Sequence, residues 1–151
     1  MRHFDHDYVE YAMARLKSIP PDAKPLWGKM DRGQLYGHLV MVMRRCLGRG
    51  PDVADKSTWF RRNILGPLII NGYVRIPRNV RLPRPKDGQT APAEQTGDLE
   101  TLHAVFEEYL SAVETGKLDP PHHPFFGRIG IDGWSKFHVQ HIGHHLRQFG
   151  V

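Results

Sequence analysis

Apolar side chains recur at spacings of three and four in four stretches of the chain, the period of one helix face. From about Asp5 to Lys17 the face is Val9, Ala12, Met13 and Leu16, and Pro20-Pro21 ends it. From about Asp31 to Leu47 it is Leu35, His38, Leu39, Val42 and Cys46, with Asp31 and Gln34 spaced as a capping box. From about Asp98 to Thr115 it is Leu99, Leu102, Val105, Phe106, Leu110 and Val113. The fourth helix runs from about Asp132, read as its cap, to Phe149, and Gly150 closes it. A shorter helix over Thr58 to Ile70 is expected to break at Gly66-Pro67. The Pro-rich stretch Asn71 to Gly97 reads as a long irregular connection, and Leu118 to Gly130 as a second. Only Gly72 to Ile76 resembles a strand. The pattern predicts an all-α fold, a four-helix bundle with long crossover loops, as one domain over residues 1–151.

Composition narrows the class. With 151 residues, 40% hydrophobic and 25% charged, the chain can bury a core and is neither collagen-like nor wholly disordered. The apolar runs Leu39–Met43 and Leu65–Ile70 are far short of the roughly 20 residues that cross a bilayer. No membrane partner is expected. The acidic start, with Asp5, Asp7 and Glu10, does not read as a secretory signal. A single cysteine, Cys46, forms no internal disulfide, and a cytoplasmic location fits that. Cys46 reads as a small core residue.

The net charge of +5 is the weaker clue. Arg61, Arg62, Arg75, Arg78, Arg81 and Arg84 cluster in one segment, but no nucleic-acid-binding motif accompanies them, and nucleic acid is not the favoured partner.

The ten histidines are the stronger clue. Four of them, His138, His141, His144 and His145, lie in the last helix. At about 100° per residue, His141, His145, Trp134, Phe137 and Gln148 fall within about 40° of one direction, while His138 and His144 flank it. Val139 and Leu146 form a second apolar edge, for another helix or for a homodimer. Buried neutral imidazoles need partners for both ring nitrogens, and two on successive turns are costly unless something binds them. A divalent transition metal does so from positions i and i+4. The residues after His141 are Ile142 and Gly143, so the general-base glutamate of a zinc protease is missing. A third ligand must come from elsewhere, and His38, on the apolar face of the second helix, is the candidate. Three histidines leave a coordination position open and leave the ion its full charge. Arg45, two turns past His38, is a candidate to hold a substrate carboxylate or to reach out to the bundle end. Gln148 is a candidate to orient a water or a ligand imidazole, and His138 and His144 to support the site or a substrate. His122 and His123, in the loop before the last helix, read as surface-exposed, and His3, His6 and His103 as surface or packing residues.

These residues also carry a resemblance. His38 and His141-x-x-His144-His145-x-x-Gln148 resemble the DinB/YfiT-like superfamily of metalloenzymes. The stretches Pro21–Leu39, His123–Gly130 and His144–Val151 resemble one branch of it, a domain of unknown function ending in HHLRQFG. The resemblance implies a four-helix bundle holding a divalent metal (zinc, nickel or an iron-like ion) on His38, His141 and His145. Better-understood relatives are thiol-dependent transferases or isomerases that use a low-molecular-weight thiol, whose ionisation the metal would assist. The Pro-rich segment 71–97 has no counterpart in them, which leaves the small-molecule substrate open. The expected function is a metal-binding protein, acting as a thiol S-transferase or hydrolase-like enzyme. The alternatives are a non-catalytic metal- or ligand-binding stress-response module and, third, a basic nucleic-acid-associated protein.

Overall fold

The computed structural model describes residues 2–50, 52–81 and 95–151, and within them the fold is all-α. Five α-helices follow in order: α1 (His6–Ser18), α2 (Arg32–Cys46), α3 (Gly66–Ile70), α4 (Leu99–Glu114) and α5 (Gly130–Gln148). A π-helical turn, Arg61–Leu65, leads directly into α3. Residues 82–94 of the Pro-rich connection, Arg84 among them, lie outside the described residues.

The starts of α1, α2 and α4 obey local chemistry. Asp5 accepts from the Tyr8 N–H, and Asp98 accepts from the Thr101 N–H. Asp31 and Gln34 form the complete reciprocal capping box, at 2.8 and 2.9 Å. Such caps satisfy backbone donors that no helical carbonyl can reach. Helix α5 is capped three residues earlier than its sequence indicates, at Ile129 rather than Asp132, and without a side-chain hydrogen bond. Asp132 sits in the first turn instead, pairing with Lys136 at 2.8 Å.

The expected break at Gly66-Pro67 does not occur. Pro67 removes an N–H and crowds the carbonyl four residues back. The chain absorbs it by winding wider, so that the Gly66 N–H reaches Arg61 O five residues back. Glycine is required at 66, where an added Cβ would lie 2.8 Å from Arg61 O and 3.1 Å from the Phe126 ring.

Helix α1 packs against α4 and α5, and α2 against the same two, while α3 lies on α5. Their inward faces share one core, including Leu16, Leu35, Met43, Phe106, Tyr109, Trp134 and Ile142. The Val139 and Leu146 edge of α5 faces α1: Leu146 is buried and the Tyr8 hydroxyl donates to Val139 O at 3.1 Å. Ahead of α4, the backbone of residues 95–97 lies directly on α2. A Cβ at Gly97 would come within 2.7 Å of Gly37 N, and Gly97 N–H donates to Gly33 O at 2.9 Å. That contact fixes α2, and with it His38, against the chain entering α4.

Candidate metal centre

His38 projects from the middle of α2, and His141 and His145 from successive turns of α5. All three are buried, His141 retaining 9% of its surface. Their Nε2 atoms converge. That of His141 lies 3.0 Å from that of His38 and 3.1 Å from that of His145. All three lie within 4.8 Å of one another. An ion about 2.0–2.1 Å from each of three nitrogens in tetrahedral geometry requires separations of about 3.3 Å, so small ring movements would admit one.

The donor set also fits a cation on chemical grounds. Each imidazole–imidazole contact can contain one proton, and His141 Nε2 takes part in both. It cannot donate well to two neighbours at once, whereas three lone pairs around one cation satisfy all three Nε2 atoms; His38 Nδ1, also buried, has no partner among the described residues.

One ligand has its tautomer set by its surroundings. The Gln148 amide donates from Nε2 to Trp27 O at 2.9 Å. A carbonyl can only accept, so Gln148 Oε1 must face His145, whose Nδ1–H donates to it at 2.7 Å. With its proton on Nδ1, His145 presents a lone pair at Nε2. The loop before α2 is held to the same helix end, since Leu26 N–H donates to Gln148 O at 2.7 Å. Gly28 completes the turn at φ 77°, and an added Cβ there would lie 3.1 Å from Gln148 Nε2.

Burial keeps the three rings neutral. Desolvation first, then repulsion from neighbouring imidazoles, holds His38 and His141 well below the usual histidine range. Desolvation takes His145 to about 4 even though the Gln148 hydrogen bond opposes it. No carboxylate among the described residues acts on the three. A neutral ligand set leaves a bound ion its whole charge.

Phe137 stacks on His141 at 5.2 Å between ring centres and 13° between planes. His144 meets His145 edge-on at 5.1 Å and lies 5.5 Å from Trp27, which Arg78 covers at 4.3 Å. Burial lowers the pKa of His144, and the nearby Ile76 backbone opposes that shift. Two of the three stretches most distinctive in the sequence, Pro21–Leu39 and His144–Val151, thus meet here, and His123 of the third lies 4.5 Å, ring centre to ring centre, from the Phe137 that stacks on His141. Residues 1–150 match a family described as protein of unknown function (DUF1569). The chain belongs to DUF1569. No curated protein and no solved structure matches it.

The remaining candidates of this DUF1569 chain fall outside the convergence point. His138 is buried between Phe4, Tyr109 and Trp134, with Nε2 unpartnered among the described residues. Arg45 is half-buried at the end of α2, its Nε likewise unpartnered, and its charge adds to the burial that lowers the pKa of His123. His123 corrects the surface expectation. The HPFFG segment closes on itself through two backbone bonds between His123 and Gly127, 2.7 and 2.9 Å long. That turn drives the ring inward, where it stacks on Phe126 and its Nδ1 accepts from the Phe125 and Phe126 N–H groups. Cys46 is buried, and desolvation pushes its thiol up to about 12. Sequence reasoning missed Trp27. Its role is played by a backbone carbonyl, and the only signal is the turn-forming Gly28 that follows it.

Proposed function

We propose that this DUF1569 protein binds one divalent transition metal through His38, His141 and His145 and uses it in catalysis as a thiol S-transferase or hydrolase-like enzyme. The observation that carries the reading is the convergence of three buried Nε2 atoms at 3.0 and 3.1 Å, with one tautomer preset by Gln148. On this reading the four long helices form a DinB/YfiT-like four-helix bundle, with α3 as an addition. A bound divalent ion would supply Lewis acidity, lowering the pKa of a bound thiol or water or polarising a carbonyl.

The chain's own residues supply the rest. Gln148 holds His145 in its ligating tautomer. Phe137 covers one face of His141 and keeps water from that side. Trp27 and His144, with Arg78 beyond, flank the outer side of the site. The bound small molecule would be an electron-rich thiol or carboxylate, drawn by the uncompensated charge.

The test is metal analysis of untagged protein beside His141→Ala. One ion per chain, lost in the variant, is expected; full metal content in the variant would remove the assignment. Turnover of electrophiles in the presence of low-molecular-weight thiols then separates an enzyme from a non-catalytic binding module.

A further inference from the structure

The π-turn and α3 bury one side and leave the other uncovered. Gly66, Ile69 and Ile70 face inward, toward α5 and Phe126. Outward stand Phe60, Ile64 and Leu68 at i, i+4 and i+8, with Trp59 beside them and Tyr73 and Val74 just past the helix. Trp59 is 66% exposed, Phe60 54% and Tyr73 81%. Six large apolar side chains within sixteen residues form an exposed patch of the kind that marks an interaction surface.

The charge around the patch narrows the partner. Residues 52–81 contain Lys56, Arg61, Arg62, Arg75, Arg78 and Arg81 against Asp52 and Asp55, six positive and two negative charges. That net +4 is most of the chain's +5. Arg147 adds to it from α5, its pKa lowered first by burial and then by the neighbouring Arg75 charge. A second copy docking through the same patch would oppose two strongly positive surfaces. By composition, residues 82–94 hold one large apolar residue, Leu82. A nucleic acid would satisfy the arginines but would leave Ile64, Leu68 and Val74 without apolar partners. Acyl chains beneath anionic headgroups satisfy both sets, as they do for basic amphipathic helices that lie in a bilayer interface.

We propose that the Trp59–Val74 face docks on anionic phospholipid membrane surfaces, with its aromatic and aliphatic side chains in the headgroup–acyl boundary and its arginines on the headgroups. This association is peripheral, and no described helix is long and apolar enough to cross a membrane. It does not depend on the metal reading.

The test is co-sedimentation with phosphatidylcholine vesicles, with and without phosphatidylserine, alongside Trp59 fluorescence. Binding to the anionic vesicles only, weakened by salt, with a blue shift absent from Trp59→Phe, is expected. Phe60→Ser with Ile64→Ser should lower partitioning by more than about tenfold. Arg75→Gln and Arg81→Gln should each lower it about fivefold, from about 1 kcal/mol per basic residue at such a surface. These positions are exposed and lie outside the metal centre, so helicity and metal content should match wild type. Three results would overturn the proposal: no vesicle binding or equal binding to neutral vesicles; a dimer in sedimentation that the Phe60/Ile64 substitutions abolish; or oligonucleotide retention that they leave unchanged.

Discussion

Replacing Gln148 by methionine keeps side-chain length and volume but removes one acceptor and one donor. In the native protein the amide joins two otherwise separate pieces, Trp27 O at 2.9 Å and His145 Nδ1 at 2.7 Å. Its loss leaves a buried N–H and a backbone carbonyl unpaired, each costing about 1–3 kcal/mol where water cannot substitute. For the metal the effect is more specific. His145 is then free to place its proton on Nε2, the nitrogen that must carry a lone pair. Loss of such a supporting bond typically weakens metal affinity about 10- to 100-fold, or about 1.4–2.8 kcal/mol. Gln148→Glu keeps an acceptor for His145 but loses the donor to Trp27, so its affinity should fall between methionine and wild type. Competition with a chromophoric chelator near neutral pH gives the affinities, with far-UV circular dichroism and thermal unfolding run in parallel. The metal-to-protein ratio at saturation should remain one in both variants. A folded Gln148→Met protein binding zinc within about twofold of wild type would refute the tautomer mechanism.

Three further outcomes follow from the packing. Burial takes His123 and His138 from 6.5 to about 3, so the unfolded chain binds protons there that the native state refuses. Stability is therefore intact above about pH 6.5 and falls below it by up to about 1.4 kcal/mol per pH unit for each ring, which urea titrations of chelator-treated protein at stepped pH would measure; a flat profile from pH 7 to 4.5 would contradict it. Gly37→Ala places a Cβ against the Gln95 carbonyl and should destabilise by about 2 kcal/mol or more, seen as a lowered Tm. The Cys46 thiol, buried and raised to about 12, should resist iodoacetamide at pH 8 in the native protein and react fully in denaturant.

Helix existence was legible because it depends on signals written locally. Asp5 and Asp31 stand four residues before the first apolar residue of their stripes and Asp98 stands one before its own, and each is the cap observed. Asp132 carried the same signal and is not a cap. The HPFFG turn and positive-φ Gly130 deliver the chain already turned toward the helix, so α5 begins before its aspartate. Pro67 was read as a break because an ideal α-helix has no room for its ring. The π-turn that makes room depends on Gly66 admitting the Phe126 ring, a contact across 60 residues.

The convergence of three histidines was legible for a different reason. Helical geometry forces residues four apart onto one face, so the His141–His145 pair needed only a period. His38 needed the further premise that apolar faces of different helices meet, which α2 and α5 satisfy. Support for the triad lay beyond periodicity. Gln148 was visible as a neighbour of His145, but its orientation is dictated by Trp27, 121 positions away, through an atom every residue possesses. His123 shows the same limit from the other side. Its proline- and glycine-rich setting reads as surface, yet two short backbone bonds turn it inward beneath Phe126. Side-chain chemistry that repeats along a helix can be inferred from spacing, whereas chemistry that relies on a backbone carbonyl or a closed turn is fixed only when distant segments meet. The three converging histidines belong to the first kind and their alignment to the second, which is why, on the proposed metal reading, substitutions at Trp27–Gly28 should alter metal affinity through Gln148.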